Sequence, residues 1–188
     1  MPNWRRSLTP GGTFFFTVVT DRRARFLTTP LARNVLSNTI RGCQSQWPFK
    51  IDAIVLLPDH LHTIWTLPLG DTDYSKRWAW IRKEFTKSWL SQGGNEQIQT
   101  AGRHRDQRRG VWQAKFWEHT IQDEEDFDRH FDYIHFNPVK HGLVKSPQEW
   151  PWSSIHRWVK KGVYPVDWAH GSDDVSLNFD DIKNSIGE

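Results

Sequence analysis

The sequence predicts one α+β domain of ferredoxin-like order, β-α-β-β-α-β. This is an antiparallel sheet with helices on one face, extended by a tyrosine-bearing helix and a C-terminal region. Three observations predict it. Two apolar, β-branched runs meet at Pro58-Asp59 and read as a hairpin, because Pro cannot donate within a ladder and Asp favours turns. Two stretches with apolar residues at helical spacing, 30–46 and 74–91, lie on either side of that hairpin. Strand-like runs rich in Phe, Val and Trp, at 14–20 and 111–121, open and close the block.

Taken in order, residues 1–12 are basic and broken by Pro and Gly, an arm that carries Arg5 and Arg6. Phe14 to Thr20 is a strand by composition and length, and Asp21-Arg22-Arg23-Ala24-Arg25 is a basic connection. In the first helical stretch Leu31, Val35, Leu36, Ile40 and Cys43 recur on one face. In the second, Trp78, Ile81, Phe85 and Trp89 form the inner stripe, while Lys76, Lys83 and Lys87 share another face. Gly93-Gly94 ends it. Residues 93–110 are polar, Gly-rich and basic, with Arg103, Arg105, Arg108 and Arg109, and read as a long mobile loop. Val111 to Ile121 supplies the fourth strand.

Asp123 then caps a helix with acid throughout its first turn and Phe127, Phe131 and Ile134 as its apolar stripe. Asn137-Pro138 should kink or end it, since interior Pro costs about 3 kcal/mol. Gly142 suits the cap of a short continuation. Trp150-Pro151-Trp152-Ser153-Ser154 and a short helix to Lys161 complete a single domain over 1–168. The acidic remainder, 169–188, has the low hydrophobicity of a disordered tail.

Composition narrows the function classes. Cys43 is the only cysteine, which excludes a disulfide framework and a cysteine-based zinc site and fits a reducing cytoplasm. The apolar run Phe14–Val19 is too short to cross a membrane, so no membrane partner is expected. Residues 1–115 carry 18 Lys and Arg against 8 Asp and Glu, whereas 116–188 carry 7 against 14. A basic N-terminal part suits a polyanion, most simply nucleic acid. The chain also holds 12 Trp; many fill cores, and indole rings also make stacking platforms for unpaired bases.

The chemistry-bearing residues lie on two elements. Side chains alternate along a strand, so His60 and His62 leave the same face, roughly 6.5 Å apart along the backbone, where two imidazoles can converge on one metal ion. On the helix begun at Asp123, His130, Tyr133 and Asn137 fall at i, i+3 and i+7 and form one stripe. A divalent cation beside a tyrosine suits phosphodiester cleavage. The ion polarises a phosphate oxygen and the tyrosine oxygen attacks phosphorus, keeping the bond energy as a covalent phosphotyrosine.

These residues carry a resemblance. Pro58-Asp59-His60-Leu61-His62 resembles the HUH signature (His, bulky hydrophobe, His) of single-strand DNA endonucleases. The run from Tyr133 to Val144 resembles the tyrosine-helix motif of the single-tyrosine transposases. Residues 61–68, 116–121 and 150–154 look most like the REP-associated tyrosine transposases, and the likeness covers residues 10–168. It implies a divalent ion, Mg2+ or Mn2+, on His60 and His62, with Asn137 as a further ligand. It implies Tyr133 as nucleophile on single-stranded DNA, giving a 5′-phosphotyrosine link and a free 3′-hydroxyl. Substrates would be REP-type palindromes, which fold as imperfect hairpins. Insertion-sequence relatives usually place Gln four residues after the tyrosine, and this chain has the shorter Asn137 there. Those relatives act as dimers that lend the tyrosine helix between subunits, whereas REP-associated ones look more like monomers, so a monomer is favoured here.

Arg5, Arg6, Arg22, Arg23, Lys76, Lys83, Lys87, Arg103, Arg105, Arg108 and Arg109 are the expected contacts to DNA backbone. A hairpin-binding protein with weak or lost cleavage is the alternative. A relaxase or replication initiator would share the His-x-His site, but those commonly carry a helicase or larger DNA domain. Ile64 at the third position argues against a His-x-His-x-His nucleotide hydrolase.

Overall fold

Alternation along Phe14-Phe15-Phe16-Thr17-Val18 decides the architecture. In the computed structural model this run lies in β1 (Thr13–Val19), a central strand of a four-stranded antiparallel sheet with β2 (Lys50–Leu56), β3 (His60–Thr66) and β4 (Trp117–Thr120) in the order β2-β3-β1-β4. Each β-α-β unit is thus split by a strand of the other. The structure describes residues 10–105 and 109–169, together with Phe179 and Ile182. Arg5, Arg6 and Arg108 lie outside the described residues, as does the tail from 170 apart from those two; Arg103 is described by its backbone alone.

Phe14, Phe16 and Val18 point to one face, where they meet α1 (Pro30–Gln46) and α2 (Tyr74–Ser91) in a core with Leu36, Ile40, Trp65, Trp78, Ile81 and Phe85. Trp65 and Trp78 stack there with ring centroids 4.3 Å apart. Burying each such side chain contributes roughly 1.5–3 kcal/mol. Phe15 points the other way, into a second core with Ala53, Val55, Ile64 and the inner side of α4 (Glu124–Lys140). The helices expected over the sheet therefore cover one face and the tyrosine-bearing helix covers the opposite one. Periodicity alone carries no information about which face a helix takes.

Caps set the helix starts. Thr29 precedes Pro30 and accepts from the Ala32 amide, Asp73 accepts from Lys76, and Asp123 accepts from Asp126. The hairpin turn is anchored from outside the sheet: the Pro58 carbonyl accepts from the Leu27 amide and the Asp59 carbonyl from Thr20. The outer edge of β2 is covered by Trp152 to Ser154, whose backbone exchanges hydrogen bonds of 2.8–2.9 Å with Ile54 and Leu56.

Three local expectations are corrected. Helix α4 does not end at Asn137 but runs through Pro138 to Lys140, the proline forfeiting its own amide bond to the preceding turn. The helix closes as a Schellman motif: Gly142 (φ +64°) donates to Val139 and Leu143 donates to Pro138. The fourth strand is shorter than 111–121. Trp112 only bridges Thr20 beyond the end of β1, and regular pairing begins at Trp117. The 93–110 stretch contains a short helix, α3 (Ala101–Arg105), and Gln97 donates to Gly110 across it. The expected C-terminal helix is α5 (Ile155–Lys160). Among the described residues no helix is long and apolar enough to cross a membrane.

Candidate active site

The β3 register places His62 opposite Thr17 and His60 opposite Val19, on the face that α4 covers. The two imidazoles lie 4.9 Å apart between centroids and nearly perpendicular. Each is gripped at Nδ1, His62 by the Thr17 hydroxyl at 2.9 Å and His60 by the Asp59 carboxylate at 2.7 Å. Such partners fix ring orientation and leave Nε2 of each imidazole as the atom that a metal ion could take. Burial pushes the Asp59 carboxyl up, but hydrogen bonds from His60 and Arg23 outweigh it and hold the group down at about 2. Asp59 is therefore an anion at any working pH.

Helix α4 brings the second half. Tyr133 is fully buried, with its ring edge-on to His62 at 5.4 Å and to Phe15 at 6.1 Å. Its oxygen accepts a hydrogen bond from Lys140 Nζ at 2.7 Å. Asn137 is also fully buried, and among the described residues neither its Oδ1 nor its Nδ2 meets a hydrogen-bond partner. A buried amide left unsatisfied costs about 1–3 kcal/mol, so the group calls for an explanation such as a ligand. Two imidazoles with an amide oxygen make a donor set that a divalent cation fits. Beside His60, a cavity of about 240 Å³ is lined by Arg25, Pro58, Asp59, His141 and Leu143.

His119, Asp126 and His130 form a second group capable of holding a metal, with their ligand atoms within 4.8 Å of one another. Asp126 accepts from His119 at 2.8 Å and lies 2.9 Å from His130 Nδ1, which also reaches the Asp126 backbone carbonyl at 2.9 Å. The sequence puts His130 on the stripe of Tyr133 and Asn137. The structure buries it against Phe15 and stacks it on His119 at 4.5 Å, because α4 presents this stripe to the sheet.

The expected DNA contacts fall in separate places. Lys83, Lys87 and Arg109 line a cavity of about 620 Å³ with Arg82 and Trp112, on the α2 side and away from Tyr133. Arg109 is also held by Glu96 at 2.6 Å. Lys76 lies over the Trp47 ring at 4.3 Å, and Arg23 pairs with Asp59 at 3.2 Å. Arg22 and Arg105 are exposed. Sequence reasoning missed Thr17, Lys140 and the grip of Asp59 on His60. Lys140 alone left a signal, since it continues the Tyr133 stripe at i+7.

The REP-associated tyrosine transposase of Escherichia coli K12 is 43% identical over 177 residues, 94% of this chain and 96% of its own length. The chain belongs to the REP-associated tyrosine transposases. A relative in Haemophilus influenzae is 39% identical over 180 residues, 96% of this chain and 99% of its own. Among solved structures, a REP-associated tyrosine transposase bound to a REP hairpin superposes with a TM-score of 0.74 at 42% identity, covering 94% of this chain and 96% of that one. No family model matches the chain. For the REP-associated transposases these coverages mean that the likeness includes both β3 and α4, the elements that carry the candidate site.

Proposed function

We propose that this chain is a metal-dependent single-strand DNA endonuclease and transposase that cleaves and rejoins DNA at REP-type hairpins through a 5′-phosphotyrosine intermediate on Tyr133. The observation that carries this reading is the approach of the Tyr133 ring to His62 at 5.4 Å within one chain. His60, His62 and Asn137 would hold Mg2+ or Mn2+, which when bound polarises a phosphate oxygen and offsets developing charge. Thr17 and Asp59 orient the imidazoles. Phe15 and the α4 stripe exclude water around the phenol. Lys83, Lys87 and Arg109 contact backbone phosphates, which position the hairpin without reading its sequence. The packing of Tyr133 on His62 of the same chain supports a site that works in a monomer.

The test is a hairpin oligonucleotide with a single-stranded flank, incubated with the protein and Mn2+ and run on a denaturing gel. Wild type gives a covalent protein–DNA adduct. Tyr133→Phe gives none and keeps its hairpin affinity. Adduct from Tyr133→Phe refutes the assignment of the nucleophile.

One observation favours a second reading, a hairpin-binding protein whose cleavage is weak or lost: Tyr133 has no exposed surface at all. On that reading wild type binds the hairpin tightly and forms no adduct with either ion.

A further inference from the structure

We propose that Lys140 is the positioning residue for the Tyr133 oxygen. Its ammonium aims that oxygen and balances the negative charge that gathers on it as the bond to phosphorus forms, and again as it breaks. This rests on the reading of Tyr133 as nucleophile.

Lys140 is the last residue of α4, two turns beyond Tyr133 on the same side of the helix. Its Nζ donates to the Tyr133 oxygen at 2.7 Å and lies 4.7 Å from the ring centroid, at the hydroxyl end of the ring. Since Nζ donates, the proton of the phenol must point away from Lys140. The amine therefore sets the rotation of the one soft torsion of the hydroxyl.

The support beneath the amine is rigid. Pro138 fixes φ two residues earlier, and the Schellman closure at Gly142 ties the helix end through Gly142 to Val139 and Leu143 to Pro138. A donor fixed in advance near developing charge, in a place poor in water, acts far more strongly than one that must reorganise. Tyr133 is fully buried, and the rings that face it are His62 from β3, Phe15 from β1 and Phe179.

The step balances without further reagents. In cleavage the Tyr133 oxygen bonds to phosphorus and its proton leaves to solvent; the P–O3′ bond breaks and O3′ takes up a proton. In rejoining, the 3′-hydroxyl attacks, the bond from phosphorus to Tyr133 breaks, and the phenol oxygen departs beside the same ammonium. Lys140 keeps its proton in both directions. It touches the oxygen that reacts rather than the hairpin, so it governs rate and leaves affinity alone.

The experiment uses the full chain, a hairpin oligonucleotide and Mn2+, with Lys140→Met, Lys140→Arg and Tyr133→Phe compared in single turnover at saturating DNA. Lys140→Met is expected to slow adduct formation about 100-fold and rejoining by a similar factor. Its hairpin Kd stays within about twofold of wild type, and Lys140→Arg recovers the rate to within about tenfold of wild type. Wild-type rates in Lys140→Met overturn the proposal. So does a rate loss matched by an equal loss of hairpin affinity or of melting temperature, or one that Arg does not restore. Adduct from Tyr133→Phe would sink the nucleophile reading itself, whereas adduct lost in Tyr133→Phe but unaffected in Lys140→Met sinks only the role of Lys140.

Discussion

Asp59 and His60 are neighbours in the chain and also partners in space: the carboxylate Oδ1 lies 2.7 Å from the imidazole Nδ1. Adjacent residues on a regular strand point to opposite faces, so this contact exists only because Asp59 belongs to the turn rather than to β3, which starts at His60. The same carboxylate accepts from Arg23 at 3.2 Å, tying the basic connection after β1 to the histidine pair.

Asp59→Ala leaves His60 without its orienting anion. Removal of such a partner typically lowers metal affinity about 10- to 100-fold. Titration of the protein with Mn2+ by calorimetry should show a loss in that range, while hairpin binding without metal stays as in wild type.

Asn137 is where stability and function should part. Replacing it with Leu removes two buried polar atoms that lack partners, so the metal-free protein should become more stable, by about 1–3 kcal/mol in urea unfolding. Adduct formation by Asn137→Leu should fall well below wild type. A destabilised and fully active variant would show that the amide is structural.

His135 supplies a pH signature. Burial pushes its imidazole down to about 3, and the ring lies 2.8 Å from the Ser154 hydroxyl and 3.2 Å from the Tyr164 hydroxyl. In the unfolded chain it titrates near 6.5, so acid favours the unfolded state. Its contribution is complete above about pH 6.5 and is lost as pH falls towards 3, amounting to about 3 kcal/mol between pH 7 and 4. Urea unfolding across that interval should fall more steeply for wild type than for His135→Gln.

Lys83→Ala and Lys87→Ala should weaken hairpin binding evenly across different hairpin sequences, each lowering the slope of log affinity against log salt by about 1. Arg109→Ala should cost less, because Glu96 already engages that guanidinium at 2.6 Å. Affinities measured at several KCl concentrations check both statements.

Much of this was legible in the residues themselves. The period of two puts His60 and His62 together, and the spacing 130, 133, 137 puts Tyr133 and Asn137 on one side of α4. Asp123 marks its helix start by the chemistry of capping. The remainder depends on pairing between distant segments. Thr17 reaches His62 only through the register of β1 on β3, and 45 residues separate them. What His130 faces is decided only when α4 is placed against Phe15. Pro138 reads as a breaker, and only the fold shows the Schellman bonds that close the helix just beyond it.

The alternation in β1 has an evolutionary corollary. Phe14 and Phe16 belong to one core, Phe15 to the other, and Thr17 to a histidine. Deleting a single residue there would turn every side chain of the strand over, sending phenylalanines of the first core against the histidines and withdrawing the threonine. Substitutions elsewhere can accumulate one at a time, but the length of β1 cannot drift. Lineages that descend from such a chain should vary in the spelling of this strand and keep its residue count.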